Sequence, residues 1–206
     1  VQELLTEMVT EFKPVLFDGD NYAAEWHAEA EKRGLPNYRS TVDCVPLITS
    51  PESVELFGKY NVFSARELHS RQEILLETYA TKISIEAETT SMMAHTMIMP
   101  AALKYQTKIA TAVNGAKTAG VEDPALQGLL EEAAATAGAF RQAAVDLDTA
   151  KNADIDSDDA LAYAQYQHST IIPAMLKLRE LGDKVERLVD SEDWTLPTYA
   201  EMLFLR

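Results

Sequence analysis

The chain has 206 residues, 33 acids against 18 bases, and a single cysteine. A net charge of −15 argues against a nucleic-acid binder that tracks phosphates and against docking on anionic lipid. With 47% apolar residues, no run long enough to span a membrane and no internal disulfide possible, the composition points to a globular protein of the reducing cytoplasm.

The predicted elements are helices throughout. Residues 1–13 place Leu4, Leu5, Met8, Val9 and Phe12 on one helical face, and Pro14 stops the pattern. No basic head precedes these apolar residues, so they are not a signal peptide, and the missing methionine suggests excision from a longer chain. Residues 17–21 are a turn by composition. A second helix over 22–33 ends at Gly34 as a left-handed cap, with Pro36 beyond it. Two short helices follow, at 41–48 and 51–60, the second capped by Ser50 ahead of Pro51.

Ser64-Ala65-Arg66-Glu67 is a capping box that opens a helix running to about Val113. Its seam is Leu75, Tyr79, Ile83, Ala87, Ala94, Ile98, Ala101, Tyr105, Ile109 and Ala112. Pro100 lies inside and is expected to kink the helix without ending it. Residues 64–114 carry 5 acids and 5 bases, so this neutral rod is the element the more acidic segments should surround.

A loop over 115–122 leads to Asp123-Pro124, a cap followed by a first-turn proline. The helix behind it repeats Leu126, Leu130, Ala133, Ala137, Phe140, Ala144 and Leu147 in strict heptad spacing. The acidic stretch 154–159 separates it from a last long helix over 158–189, kinked at Pro173. That helix has the seam Leu161, Ala164, His168, Ile171, Met175, Leu178, then Leu181 or Gly182, Val185 and Leu188. The expected fold is all-α, with long kinked helices in an antiparallel three-helix, coiled-coil-like bundle behind short N-terminal helices. Residues 1–63 are expected as a short-helix segment, and 64–206 as the bundle and tail.

Chemistry is sparse. There is no Gly-rich phosphate loop and no nucleophile elbow. No Glu-x-x-His occurs, which removes the di-iron bundle motif. The Asp154–Asp159 run starts like a calcium loop, but Asp159 stands where glycine is needed and Gln165 where glutamate is needed. An acidic helix N-terminus is the simpler reading. Glu86 is expected as a partly buried carboxylate paired with Arg71 or Lys82, and His168 as a hydrogen-bonded core histidine. Met92, Met93, Met97 and Met99 suit core packing, with a partner surface as the alternative. Cys44 is expected as a small buried hydrophobe. The residues alone support an interaction or structural domain, such as a free-standing adaptor that binds a partner helix.

Three segments carry more. Phe17-Asp18-Gly19-Asp20-Asn21-Tyr22, with Trp26, Arg33 and Gly34, resembles the region after the catalytic core of type III glutamine synthetases. The run from Glu67 through Arg71, Glu77, Tyr79 and Glu86 to Pro100 resembles the long helix of that family. Trp194-Thr195-Leu196-Pro197-Thr198-Tyr199 and 202–206 resemble its chain end. Asn21, Gln72 and Thr90 depart from the family pattern and should weaken local contacts. The resemblance implies a parent that makes glutamine from glutamate, ammonia and ATP with Mg or Mn, as a ring-forming cytoplasmic homo-oligomer. Its catalytic and cofactor residues would lie upstream, so the resemblance implies no catalytic, cofactor or metal residue in this chain. The resemblance further implies that residues 1–63 link to an absent upstream catalytic core and form one C-terminal domain together with 64–206, with that core and neighbouring subunits as partners.

Overall fold

The structure is a computed structural model, and it describes residues 1–155 and 158–203. Residues 156–157 of the acidic stretch and 204–206 of the chain-end motif lie outside the described residues. Every regular element among the described residues is helical: α1 Gln2–Glu11, α2 Ala24–Lys32, α3 Thr41–Cys44, α4 Pro51–Lys59, α5 Ala65–Met93, α6 Met99–Thr118, α7 Pro124–Lys151, α8 Ala160–Tyr166, α9 Ile172–Leu188 and α10 Tyr199–Leu203.

The caps explain where the elements begin. The Ser64 amide donates to Glu67 Oε2 at 2.7 Å, and the Glu67 amide donates to Ser64 Oγ at 3.4 Å, completing the capping box of α5. Ser50 accepts from the Ser53 amide ahead of α4, and Asp123 accepts from the Leu126 amide ahead of α7. Asp159 accepts from the amides of Leu161 and Ala162, which places an acid at the α8 N-terminus as the sequence suggested.

The two prolines act through a device the periodicity does not show. A π-turn at Ala94–Ile98 separates α5 from α6, and another at Gln167–Ile171 separates α8 from α9. Each ends just before a Met-Pro or Ile-Pro pair, and the closing amide bonds five residues back, Met99 to Ala94 and Ile172 to Gln167. A proline ring clashes with the carbonyl four residues earlier in a regular α-helix. A widened turn moves that carbonyl aside and lets the helix continue.

This geometry corrects several expectations. His168 sits in the second π-turn and is exposed, while Gln167 is buried in its place. The extra residue in the widened turn rotates His168 out of the seam. At the ends of the long rod Leu76 and Val113 are buried, whereas Leu75 and Ala112 are exposed. The rod is covered by different neighbours along its length, so one stripe does not describe it. The helix also continues through Asn114-Gly115 to Thr118. Residues 41–48 divide into α3 and a 3₁₀ turn at Val45–Thr49, and residues 13–15 form another 3₁₀ turn. Cys44 is exposed, and Val42 and Val45 are the buried side chains there.

Pairwise contacts give the helix directions. Val113 and Ile109 pack with Leu126 and Ala133, while Ser91 meets Asp148, so α7 runs antiparallel to the rod. Tyr79 meets His168, Thr90 meets Met175 and Lys108 meets Asp190, so α8 and α9 run parallel to it. The main core lies where the three meet and holds Ala87, Ala94, Ala101, Phe140, Ala144, Leu147, Ile171, Leu178 and Val185. The heptad positions of α7 are buried from Ala133 to Leu147, as is Ala143 beside them, with Leu126 and Leu130 half-buried at the start. A second cluster packs Val42 and Val45 onto Leu76, Ala80 and Ala164, docking the short helices on α5 and α8.

Candidate functional site

Two places bring together residues named by the family motifs. The first is a clamp in the N-terminal segment. The Arg33 guanidinium donates to the carbonyls of Pro14 at 3.1 Å and Leu16 at 2.7 Å, and its Nε donates to Glu29 at 2.7 Å. It also lies 6.0 Å from the Phe17 ring centre and 5.7 Å from that of Trp26. The two rings are 4.7 Å apart. The Arg33 hydrogen bond is the main cause that holds the Glu29 carboxyl below its ordinary range.

The other motif residues of this segment have separate tasks. Asp20 accepts from the Tyr22 amide at 2.9 Å, an Asx turn that aims the chain into α2. A Cβ on Gly19 would lie 2.6 Å from the Phe17 ring, so glycine makes room for the stack. Gly34 has φ +71° and ends α2 in the left-handed region. Tyr22 stands outside the clamp at 95% exposure.

The second place is a groove of about 590 Å³ between α5 and α9, with tail residues in its wall. Glu86, Trp194 and Pro197 all line it, with Ile83, Met93, Phe140 and Met175. Glu86 is exposed and forms no ion pair with Arg71 or Lys82, contrary to the expectation from sequence. Arg71 instead lies 4.2 Å over the Phe63 ring. The phenol of Tyr79 is raised above its ordinary range, first by burial and then by the Glu86 charge, and its hydroxyl is 3.3 Å from His168 Nδ1. Glu77 is exposed on α5, and Pro100 stands in the first turn of α6. Met93, Met97 and Met99 are half-buried, while Met92 faces outward.

Two polar ties that the sequence reading missed hold the bundle around the groove. Asp148 accepts from Ser91 at 2.5 Å, pairs with His95 at 2.7 Å, and lies 3.5 Å from Lys151, which in turn reaches Glu88 at 2.6 Å. The Ser91 hydrogen bond leads the causes that hold its carboxyl below the usual range, opposed by burial and aided by His95. Serine and histidine both bind the aspartate here. A nucleophilic triad needs histidine between the other two, so this group is a tie between α5 and α7. The second tie is Asp193, which is buried and meets Lys104 at 2.6 Å and Lys108 at 2.5 Å. These lysines, Lys104 first, depress its carboxyl, and Asp193 raises Lys108. The tie pins the tail to α6. Its sequence signal, Asp190 and Asp193 far from Lys104 and Lys108, has no periodicity to reveal it.

Two departures from the family pattern make contacts of their own. Gln72 accepts from the Thr49 hydroxyl at 2.5 Å, joining the 3₁₀ turn to α5, and the Thr90 hydroxyl meets Met175 sulfur at 3.8 Å. Among the described residues no group of three His, Cys, Asp or Glu is placed to hold a metal ion. No helix among them is long and apolar enough to cross a membrane.

Comparison with known proteins decides the family. The family model described as the glutamine synthetase C-terminal domain matches residues 1–117, more than half of the chain. The chain belongs to the glutamine synthetase C-terminal domain family. It is 34% identical over 210 aligned positions to a glutamine synthetase of Butyrivibrio fibrisolvens. It is 30% identical to a type-3 glutamine synthetase of Dictyostelium discoideum. A third relative, a glutamine synthetase of Bacteroides fragilis (strain YCH46), is 27% identical. These alignments cover 98–99% of this chain and 29% of each relative, so the chain spans under a third of their length. Its clamp, long rod and groove are therefore features of a glutamine synthetase C-terminal domain.

Proposed function

We propose that this chain serves as the helical support and assembly domain of a type III glutamine synthetase, packing on an upstream catalytic core and on neighbouring subunits, ring to ring among them. The parent would join ammonia to glutamate at the expense of ATP, with Mg or Mn, in the cytoplasm. Those cofactors would be held by the upstream catalytic core.

The observation that carries the proposal is the outer face of α1. Leu4, Leu5, Met8, Val9 and Phe12 lie on one side of the helix, and all are between 45% and 59% exposed. A contiguous apolar face of this kind marks a contact surface. On α5, Ile74, Ile85 and Met92 are also exposed, and at 100° per residue they fall within about 20° of one another. The reading of a free-standing adaptor is disfavoured, since the relatives carry this region within much longer chains.

The test is a pair of charges on α1, Leu5→Asp with Val9→Asp. In the parent enzyme this variant should lower the oligomer mass measured by light scattering. In the 206-residue chain it should leave the melting temperature unchanged, because neither side chain belongs to a core cluster. An oligomer of unchanged mass and activity would contradict the role given to α1.

A further inference from the structure

We propose that the groove between α5 and α9 is a binding site for a small cationic amphiphile, an ammonium or guanidinium head on an aromatic or aliphatic body. The proposal goes beyond the assembly role and does not depend on it.

Size and lining favour a small molecule. The groove's 590 Å³ lies within the roughly 300–1,000 Å³ of ligand pockets. Its wall is made mainly of apolar side chains from α5, the first π-turn, α7, α9 and the tail, so its shape depends on the whole bundle. Met93 and Met175 give an adaptable surface for an apolar body. Trp194 supplies an indole to the wall, and aromatic rings attract cations.

Charge selects the head group. Arg179 is committed to Asp183 at 2.8 Å. Glu86 and Glu186 also line the groove, and neither has a basic partner within ion-pair distance among the described residues. Two carboxylates beside a low-dielectric wall attract a cation more strongly than the same charges on an open surface. They disfavour an anion, and a second copy of a chain of net charge −15 is a poor match for the same reason.

The test follows the methionine methyl resonances of the 206-residue chain during titration with 2-phenylethylammonium, 2-phenylethanol and phenylacetate. The amine should shift Met93, Met175 and Met202, which line the groove, and leave Met8 on α1 unmoved. It should bind about tenfold more tightly than the alcohol, with phenylacetate weaker still. The double variant Glu86→Gln with Glu186→Gln should bring the amine down to the affinity of the alcohol. Its melting temperature, measured in parallel, reports that the fold is retained. Any of three results overturns the proposal: no shift of the groove methyls, equal response to the anion, or an unchanged affinity in the double variant. Groove methyls that respond to protein concentration and not to the amine would also overturn it, and would make the groove a protein interface.

Discussion

Gly182 lies in the middle of α9 against Phe140, and the substitution Gly182→Ala has a calculable result. Glycine in a helix interior is less favourable than alanine by about 0.8–1 kcal/mol. The added Cβ would stand 3.5 Å from Phe140 Cε2 and 3.7 Å from Ile98 Cδ1, which is ordinary van der Waals contact. Gly182 is itself buried, so the methyl also leaves water, a gain of up to about 0.8 kcal/mol. The two effects sum to roughly 0.8–1.8 kcal/mol, or about 2–7 °C in melting temperature for a chain of this size. Gly138→Ala on the exposed side of α7 is the control, since its Cβ meets nothing within 4 Å and only the propensity term remains. Thermal unfolding followed by circular dichroism at 222 nm should show both variants stabilised and Gly182→Ala at least as much as the control. A lower melting temperature for Gly182→Ala alone would mean that α9 packs closer to Phe140 than described, and the reasoning about the core would fail.

Two further outcomes follow from the ties and the clamp. The carboxyls of Asp148 and Asp193 are depressed in the folded state, so their contribution is present above the unfolded carboxylate range and is lost as pH falls through the folded values. Lys108 is raised, so its contribution is present below the unfolded lysine range and is lost as pH rises through the folded value. The melting temperature should therefore drop below about pH 4, and Asp193→Asn should flatten that drop; identical acid profiles for the variant and the parent chain would refute the tail tie. Gly19→Ala should displace the Phe17 ring from Trp26 and change the near-ultraviolet circular dichroism while leaving the main transition in place, because the clamp lies outside the core clusters. An unaltered aromatic spectrum would show that the ring can shift without leaving the stack.

Much of the architecture is written in local signals. The capping box at Ser64, the Asp123 cap and the Gly34 terminator act within a few residues of themselves, so the chain spells them out. The heptad of α7 is legible for a similar reason, since one helix faces the same seam over most of its length. Pro100 and Pro173 mark the sites of distortion, but not its form. A kink and a π-turn begin from the same proline clash and differ in which carbonyl is moved, and that choice decides whether His168 or Gln167 is buried. The Asp148 and Asp193 ties join residues more than fifty positions apart and leave no trace in spacing. The family motifs include Phe17, Trp26 and Arg33, and the structure brings these three together, with Arg33 reaching both rings and two carbonyls at once.

The central proposal is that this domain holds an assembly together. The most direct measurement is the mass and activity of the parent enzyme after removal of the segment equivalent to residues 1–190, which takes in both α1 and the exposed face of α5. The account predicts a smaller or heterogeneous oligomer in native mass spectrometry. An intact oligomer of unchanged stoichiometry with full glutamine synthesis would contradict it.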